Sequence, residues 1–336
     1  MGAMTIRFDS GQIPAVDRDT AVREIISASI VPVEIDFPAH EGPVVRGAIS
    51  DVGSLRVCSI KSNATKAERT ERLARDAMEP SVFLGLQVSG SSLVVQNERE
   101  AVLRPGDLVL YESAAPYTLV DADGIQQVQI RIPTASLGLP GDVLRMISAV
   151  KLSPGHPVAD LAAAYFRRMA ARPDLISQPG AQAISQPSIE LVRALITTHL
   201  DLAAPQGDAM HASLRLRILE YVRANLRDPD LTAAQIAVEH HISVRHLYNV
   251  LAEGGISLGG WIREQRLEGC RDDLARAGLF TTPIGAIAKR WGFTDPSSFG
   301  RSFRAAYGLS PREWRIMAHQ DPAGLAELRG QNPSRS

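Results

Sequence analysis

The sequence predicts an α+β chain of two domains that differ in class, a β-rich N-terminal half and an all-helical C-terminal half. Three observations predict it. Between Val44 and Pro133 short runs alternate apolar and polar residues and are broken by turns containing Gly and Pro. After about Pro154 the apolar period becomes helical, with capping or breaking residues between the runs. Charge is also divided. Residues 1–209 carry 19 Lys+Arg against 24 Asp+Glu and residues 210–320 carry 15 against 11, although the net charge of the chain is −1. An acidic half followed by a modestly basic one fits a sensor joined to a reader of nucleic acid.

At 336 residues the chain is long enough for two ordinary domains, and 45% apolar with 22% charged residues is a soluble globular composition. No apolar run approaches the ~18 residues of a membrane span, and no basic stretch leads into an apolar one as in a secretory signal. A cytoplasmic protein without membrane contact is therefore expected. Met1-Gly2-Ala3 ahead of Met4 reads as a cloning scar, so residues 1–4 are set aside. Two cysteines, Cys58 and Cys270, are too few for a disulfide framework and suit a reducing compartment.

Taken in order, the chain first gives one weak helical signal from Thr20 to Ser29. Leu55, Val57 and Ser59 then alternate with Arg56, Cys58 and Ile60. Val82–Val88 and Leu93–Gln96 flank Ser89-Gly90-Ser91-Ser92, which reads as a hairpin. Arg104-Pro105-Gly106-Asp107 is a turn into Leu108–Tyr111, and Val128, Ile130 and Ile132 alternate with Gln127, Gln129 and Arg131. Many short strands predict a sandwich or barrel. A catalytic metal would need several His and a carboxylate converging from neighbouring strands. No histidine lies between Val44 and Pro133, and His40 stands alone before them. No metal, cofactor or catalytic residue is assigned. What remains is an apolar pocket for a small molecule or a barrel filled by its own side chains. Arg69, Arg104 and Arg131 are the cations that could meet a ligand carboxylate, against the plainer reading of surface charge.

From Pro154 to Pro205 two helices are expected. One places Val158, Leu161, Ala162 and Tyr165 on its apolar face, the other Ile189, Val192, Ile196 and Leu200. Arg172-Pro173-Asp174 and the Gln/Ser/Pro-rich stretch Ser177–Ser188 separate them, and Ala203–Asp208 reads as a linker. A further helix follows with Leu214, Ile218 and Tyr221 on one face, ended by Asp228-Pro229-Asp230. Thr232-Ala233-Ala234-Gln235 is a capping box for the next helix, and Ser243 caps a third that turns Leu247 and Leu251 inward. Leu267, Cys270 and Leu274 lie on one side of a long helix from Ser257 to Ala277, whose 21 residues rise ~31 Å, close to the ~34 Å turn of B-DNA. Gly255-Ile256-Ser257-Leu258-Gly259 matches a hydrolase nucleophile elbow, but with helices on both sides Ser257 reads as an N-cap. Cys270 reads as core.

The last stretch, Pro283 to Arg315, is the most informative. Ile284, Ile287, Ala288 and Trp291 share one helix face behind a Thr282-Pro283 start. Gly292 supplies a sharp turn, and Asp295-Pro296 caps a second helix with Phe299, Phe303 and Tyr307 on one side. Ser297, Ser298, Gly300, Arg301 and Arg304 lie on the other. Gly308 stops it, and the capping box Ser310-Pro311-Arg312-Glu313 starts a third helix bearing Trp314. A small, polar and cationic outer helix face after a tight turn is the geometry that enters a major groove. Any small helical hairpin packing on a core is the alternative.

Ile287-Ala288, Gly292-Phe293, Phe299, Arg301, Phe303, Gly308-Leu309-Ser310-Pro311 and Trp314-Arg315 together resemble the second helix-turn-helix of the AraC/XylS family of transcription regulators. The segment from Thr232 resembles the first, with two departures: His241 stands where the family has a turn glycine, and Asn249 where it commonly has arginine. Gly90 to Pro116, with Arg69-Thr70 and Gln96, resembles the cupin-like sensor domain of the XylS-like branch. The resemblance implies a cupin-like ligand-sensing domain over residues 5–150 and a helical dimerisation or packing segment over 151–203. It implies a linker over 204–212, a double helix-turn-helix domain over 213–318 and a flexible tail over 319–336.

It further implies a promoter-binding regulator, expected to be an activator, that contacts RNA polymerase and forms a homodimer. The implied effector is a small aromatic or other organic acid, amide or nitrile. Arg245, Tyr248 and Asn249 are then the base readers of the first unit, and Pro296, Ser297, Ser298, Gly300 and Arg301 those of the second. His246 and Arg304 would touch phosphate, and Arg69, Gln96 and Arg131 are the ligand-binding candidates. A DNA-binding regulator without a ligand, whose barrel only dimerises or contacts a partner, is the alternative. An enzyme fused to a DNA reader is the third.

Overall fold

The structure, a computed structural model, describes residues 5–37, 42–121, 124–172, 181–203 and 208–320. His40, residues 1–4, most of the loop after Arg172, linker residues 204–207 and the tail from 321 lie outside them. The chain's contacts divide it into two compact units, residues 2–209 and 210–336.

The first unit is two antiparallel sheets. One has the order β1 (Thr5–Asp9), β3 (Val45–Val52), β4 (Leu55–Ser62), β11 (Ile125–Pro133), β6 (Ser81–Ser89), β9 (Leu108–Glu112), β12 (Val150–Leu152). The other has the order β2 (Glu34–Asp36), β5 (Thr65–Arg69), β10 (Tyr117–Asp121), β7 (Ser92–Gln96), β8 (Arg99–Leu103). Their facing side chains bury Ile49, Cys58, Phe83, Val94, Leu103, Tyr111 and Tyr117. Phe83 stacks on Tyr111 at 5.1 Å, and Tyr117 meets the same ring edge-on at 4.9 Å. Helix α1 (Arg18–Ser29) feeds the segment Ile30–Phe37 into β2. The short helices α2 (Glu71–Ala74), α3 (Thr134–Leu137) and α4 (Gly141–Ile147) connect strands, and α5 (Pro157–Ala170) and α6 (Ser185–Ala203) complete the unit.

Two expectations for this unit are corrected. The strands flanking Ser89–Ser92 are present but are not a hairpin: β6 pairs with β11 and β9, and β7 with β10 and β8, in different sheets. Alternation fixes which face of a strand is apolar, not which strand lies beside it. Gly90, at φ +72, makes the crossing, where a Cβ would lie 2.8 Å from the carbonyl oxygen of Gly124. The true local hairpin joins β7 to β8 through Asn97-Glu98, both at positive φ (52 and 60), the mark of a type I′ turn. The second correction is the face of α5. Its buried residues are Ala159, Ala162, Ala163, Phe166 and Met169, while Leu161 is 66% exposed. Alanines let the helix lie close to β6 and β11, so the buried face is the one with small side chains. On α6 the expected Ile189, Val192, Ile196 and Leu200 are buried.

The second unit is helical: α7 (Asp208–Ala224), α8 (Ala233–Glu239), α9 (Val244–Glu253), α10 (Leu258–Ala275), α11 (Ile284–Arg290), α12 (Pro296–Tyr307) and α13 (Pro311–Gln320). Helix α7 takes in residues 208–212 of the segment expected as linker. One apolar cluster holds α7, α8 and α9 around Ile218, Leu219, Ile236, Leu247 and Leu251. The other holds α10 to α13 around Leu267, Cys270, Ile287, Phe299, Phe303 and Trp314.

The caps form at Thr232 with Gln235, Ser243, Asp295 and Ser310 with Glu313. Thr282 does not cap: Pro283 occupies the N-cap position of α11, with no side-chain bond. Helix α10 runs for 18 residues rather than 21, a rise of ~27 Å, because Ser257 is its N-cap residue and Arg276 its C-cap.

Candidate nucleic-acid interface and sensor cavity

The two helix pairs of the second unit, α8–α9 and α11–α12, turn in the same way. After α8, His241 donates its backbone N–H to the carbonyl of Val238 (3.1 Å) and Ile242 donates to Ala237 (2.9 Å). After α11, Gly292 donates to Lys289 (3.1 Å) and Phe293 to Ala288 (3.0 Å). The residue at the bend is left-handed in both, Gly292 at φ 76 and His241 at φ 54. Histidine is among the side chains that tolerate this region, so the missing glycine does not change the turn.

Each turn delivers a helix whose apolar side is buried and whose other side is free. On α9, Leu247, Val250 and Leu251 are buried, while Arg245, Tyr248 and Asn249 are exposed. His246 is half-buried, with its ring 5.9 Å from that of His211, which bonds Glu253 at 3.1 Å. On α12, Phe299 and Phe303 are buried, and Pro296, Ser297, Ser298, Arg301 and Arg304 are exposed. The Asp295 carboxylate accepts the backbone N–H groups of Ser297 (3.0 Å) and Ser298 (2.9 Å), which starts the helix and leaves both hydroxyls outward. Arg301, Arg245, Tyr248 and Asn249 make no side-chain hydrogen bond or ion pair among the described residues. A Cβ added at Gly300 would meet nothing within 4 Å.

Three residues not picked out in the sequence brace these helices through α10. Arg266 donates to the carbonyls of Leu226 (2.8 Å), Asp228 (2.5 Å) and Gly292 (3.2 Å), linking the end of the first helix cluster to the turn of the second. Asp273 is buried and accepts the indole N–H of Trp291 at 2.9 Å, with Arg290 at 3.4 Å. Gly269 lies under the Trp291 ring, where a Cβ would come within 2.5 Å of three ring carbons. A charged pair at α10 positions facing inward was the available signal.

Between the sheets of the first unit lies a cavity of about 70 Å³. Ile26, Ile30, Val31, Val33, Ile35 and Phe37 wall one side, and Ile60, Ala67, Leu119 and Ile125 the other. Polar groups gather at Asp121, Gln127 and Gln129. Asp121 accepts from the hydroxyls of Ser92 (2.5 Å) and Thr65 (2.8 Å), and burial raises its carboxyl above the usual range although both bonds oppose the rise. Gln127 donates to Gln87 and Ser92, and Gln129 donates to Gln127. Tyr111 and Tyr117 also line the space, their phenols shifted upward by burial. Burial likewise pushes the Cys58 thiol up to about 12, which leaves it unreactive.

The sequence candidates for ligand contact lie elsewhere. Arg69 is 1% exposed and not in the cavity wall. Its guanidinium donates to the carbonyls of Ser113 (2.7 Å) and Pro32 (2.7 Å) and pairs with Asp76 at 3.1 Å. Gln96 closes the β7–β9 side, its amide donating to the carbonyls of Glu112 and Ala115 and its oxygen accepting from the Glu112 N–H. Arg131 donates to Ser81 and to the Ile30 carbonyl. Arg69 and Arg131 thus belong to a set with Arg56, on the Ser29 carbonyl at 2.7 Å, and Arg23, on the Ile35 carbonyl. Four guanidiniums hold the backbone of Ser29–Ile35 over the cavity. Arg69, Gln96 and Arg131 do not line the cavity, and the bonds named here use two or three of the five N–H donors of the Arg69 and Arg131 guanidiniums.

Comparison with known proteins places these features. Residues 22–201 match the AraC-binding-like domain family, and residues 236–317 match the helix-turn-helix domain family. The transcriptional activator NphR of Rhodococcus sp is 26% identical over 265 residues, 78% of each chain. The probable thc operon regulatory protein of Rhodococcus erythropolis is 33% identical over 109 residues, 31% of each chain. The crystal structure of the AraC-like transcriptional activator CuxR aligns with a TM-score of 0.51 at 21% identity, over 85% of this chain and 99% of that one.

Proposed function

We propose that this chain, which belongs to the AraC/XylS family of transcription regulators, reads promoter DNA with α9 and α12 in successive major grooves and adjusts that reading to a small organic molecule held in its barrel. The observation that carries the reading is the pair of turns at His241 and Gly292. They make the same hydrogen bonds and present the same kind of free polar face, one at each end of an 18-residue helix. Arg245, Tyr248 and Asn249 are assigned to base edges in one groove, and Ser297, Ser298 and Arg301 in the other. Pro296 and Gly300 allow close approach, and Arg304 touches phosphate. His246, half-buried against His211, takes phosphate only through its outer edge.

The first unit supplies the sensor, because a cavity with a few convergent polar groups is what a small effector needs. NphR is by name an activator, and activation through contact with RNA polymerase is the direction assigned here. Pairing of two copies through α5 and α6, where Leu161 and Leu202 are 66% and 65% exposed, belongs to the same reading. No helix among the described residues is long and apolar enough to cross a membrane, and a cytoplasmic location is assigned. No catalytic role is assigned. Ser257 follows a helix rather than a strand, so the elbow that would activate it is missing.

The test is selection of genomic fragments on the full-length protein, followed by footprinting of the enriched site. The expected result is protection of two half-sites about 10 bp apart, centre to centre. Protection of a single half-site would remove the first unit from the reading. Enrichment no better than bulk DNA, with and without candidate effectors, would overturn it.

A further inference from the structure

The polar end of the barrel cavity carries more information about its occupant than its size does. Among the described lining residues there is no Lys, Arg or His. The only charged group is Asp121, and it is 9% exposed. The cation nearest to it by strand pairing, Lys66 opposite Val120 in the β5–β10 register, is exposed, pairs with Glu68 at 3.0 Å and is not in the cavity wall. The remaining hydrogen-bonding capacity of the wall can be assigned atom by atom. Gln129 donates through Nε2 to Gln127, and its Oε1 accepts no bond among the described residues. Asp121 holds two hydroxyl donors and the Gln127 amide N–H at 3.5 Å, and, as a carboxylate with about four lone-pair sites, accepts one more. The hydroxyls of Tyr111 and Tyr117 have no hydrogen-bond partner among the described residues, and each can donate or accept. The site therefore offers two acceptors and two phenols beside an otherwise apolar wall of Ile30, Val33, Ile35, Phe37 and Leu119.

We propose that the effector enters this cavity with a non-anionic polar end that donates hydrogen bonds to Asp121 and Gln129 and accepts from Tyr111 or Tyr117, as a carboxamide does, and that the site rejects carboxylates. The inference rests on the reading of the barrel as a sensor and names the class of molecule it senses. An organic carboxylate would bring a second negative charge beside Asp121 into a space whose described lining residues include no cation to pair it, so either it or Asp121 would have to take up a proton. It would also leave Gln129 Oε1 without a donor, and a site built to receive a donor discriminates strongly against a ligand that lacks one. An amide has both the donor and the acceptor. An alcohol supplies the donor without a charge, and an amine, cationic at pH 7, supplies donors only, with a charge opposite to that of Asp121. Of the effector classes the sequence resemblance implies, the acid is the one this chain's own residues exclude.

The experiment is a thermal-shift screen of the full chain, confirmed by calorimetry, against amide, alcohol, amine and carboxylate built on the same acetyl, propionyl and phenylacetyl skeletons, within a broad set of small organic compounds balanced for charge. The expected result is that the stabilising compounds are amides, alcohols or amines. The matched carboxylate at pH 7 should bind at least tenfold more weakly. Asp121→Asn, which keeps the carbonyl that Ser92 or Thr65 needs, is expected to shrink that preference by at least tenfold, and Tyr117→Phe to weaken the amide without restoring the acid. An unchanged near-UV circular dichroism spectrum of each variant, to which the buried Tyr111 and Tyr117 of the first unit contribute, reports that this unit has folded. Carboxylates binding as tightly as their amides, or an amide preference untouched by Asp121→Asn, would overturn the proposal while leaving the sensor reading intact. No stabilisation by any compound of either charge class would overturn the sensor reading, and this inference with it.

Discussion

Gly300 and Arg301 separate what a residue does for the fold from what it does for recognition. Gly300 lies inside α12, where a Cβ would meet only open space. Packing within the chain gives no reason for glycine there, and glycine costs a helix interior about 0.5–1 kcal/mol relative to alanine. Gly300→Ala is therefore expected to raise thermal stability slightly while weakening binding to the selected promoter site, where the proposed interface places a DNA surface in the space the Cβ would fill. Equal or tighter promoter binding, measured by fluorescence anisotropy, would remove Gly300 from the interface. Arg301, exposed and unpaired among the described residues, is expected to lose about 1–3 kcal/mol of specific binding on replacement by alanine if it reads a guanine, with relaxed preference at one base position. A small loss shared by all sequences would place it on phosphate. At this scale the sequence was most legible where a residue acts on its own backbone. Asp295, Ser243 and Thr232 cap as their positions foretell, since a cap is a contact over two or three residues. It was least legible for Arg69 and Gln96, whose partners Ser113, Pro32 and Glu112 are 16 to 44 residues away in the chain. Nothing in the local pattern distinguishes a guanidinium bound to carbonyls from one waiting for a ligand.

The helix α10 shows what spacing alone leaves out at the level of an element. Its apolar residues Leu267, Cys270 and Leu274 are legible from their period, and they are buried. Its bracing role is not, because that depends on Gly269, a residue usually read as a weak point in a helix. Here the absent side chain admits Trp291, whose indole N–H reaches the buried Asp273. Gly269→Ala is expected to destabilise the helical unit by about 1–3 kcal/mol, the usual cost of overpacking. This is opposite in sign to the same change at Gly300. Chemical denaturation of both variants checks the pair, and stabilisation by Gly269→Ala would mean that the indole moves aside freely. The same lesson applies to α5, where the largest apolar residues suggested one face and the alanines Ala159, Ala162 and Ala163 chose another. Volume at the contact, not apolarity alone, decides which face packs.

The barrel as a whole is closed by backbone rather than by side-chain plugs. Ser29, Ile30, Pro32 and Ile35 each give a carbonyl to an arginine, Arg56, Arg131, Arg69 and Arg23 in turn, and Ile30, Val31, Val33 and Ile35 then cover the cavity. Its about 70 Å³ is far below the ~300 Å³ and more of a site for a drug-sized ligand. On the sensor reading, a drug-sized effector requires this segment to move. On the same reading, the arginine bonds to its carbonyls are what such a movement would break. Arg69 matters most among them, because it is the one fully buried and it holds three elements at once through Pro32, Ser113 and Asp76. Arg69→Met keeps most of the volume and removes the donors. It leaves Asp76 without its cation and two carbonyls without bonds, a loss of about 3–5 kcal/mol where one partner of a buried pair is removed. The expected outcome is a lower unfolding midpoint together with faster amide exchange across residues 29–37, larger than any change in strand β6, which is held from both sides by β11 and β9. If exchange speeds up equally in β6, Arg69 supports the whole sandwich and not the segment over the cavity. If neither changes, the segment is held by its apolar contacts alone, and the arginines do not govern access to the site.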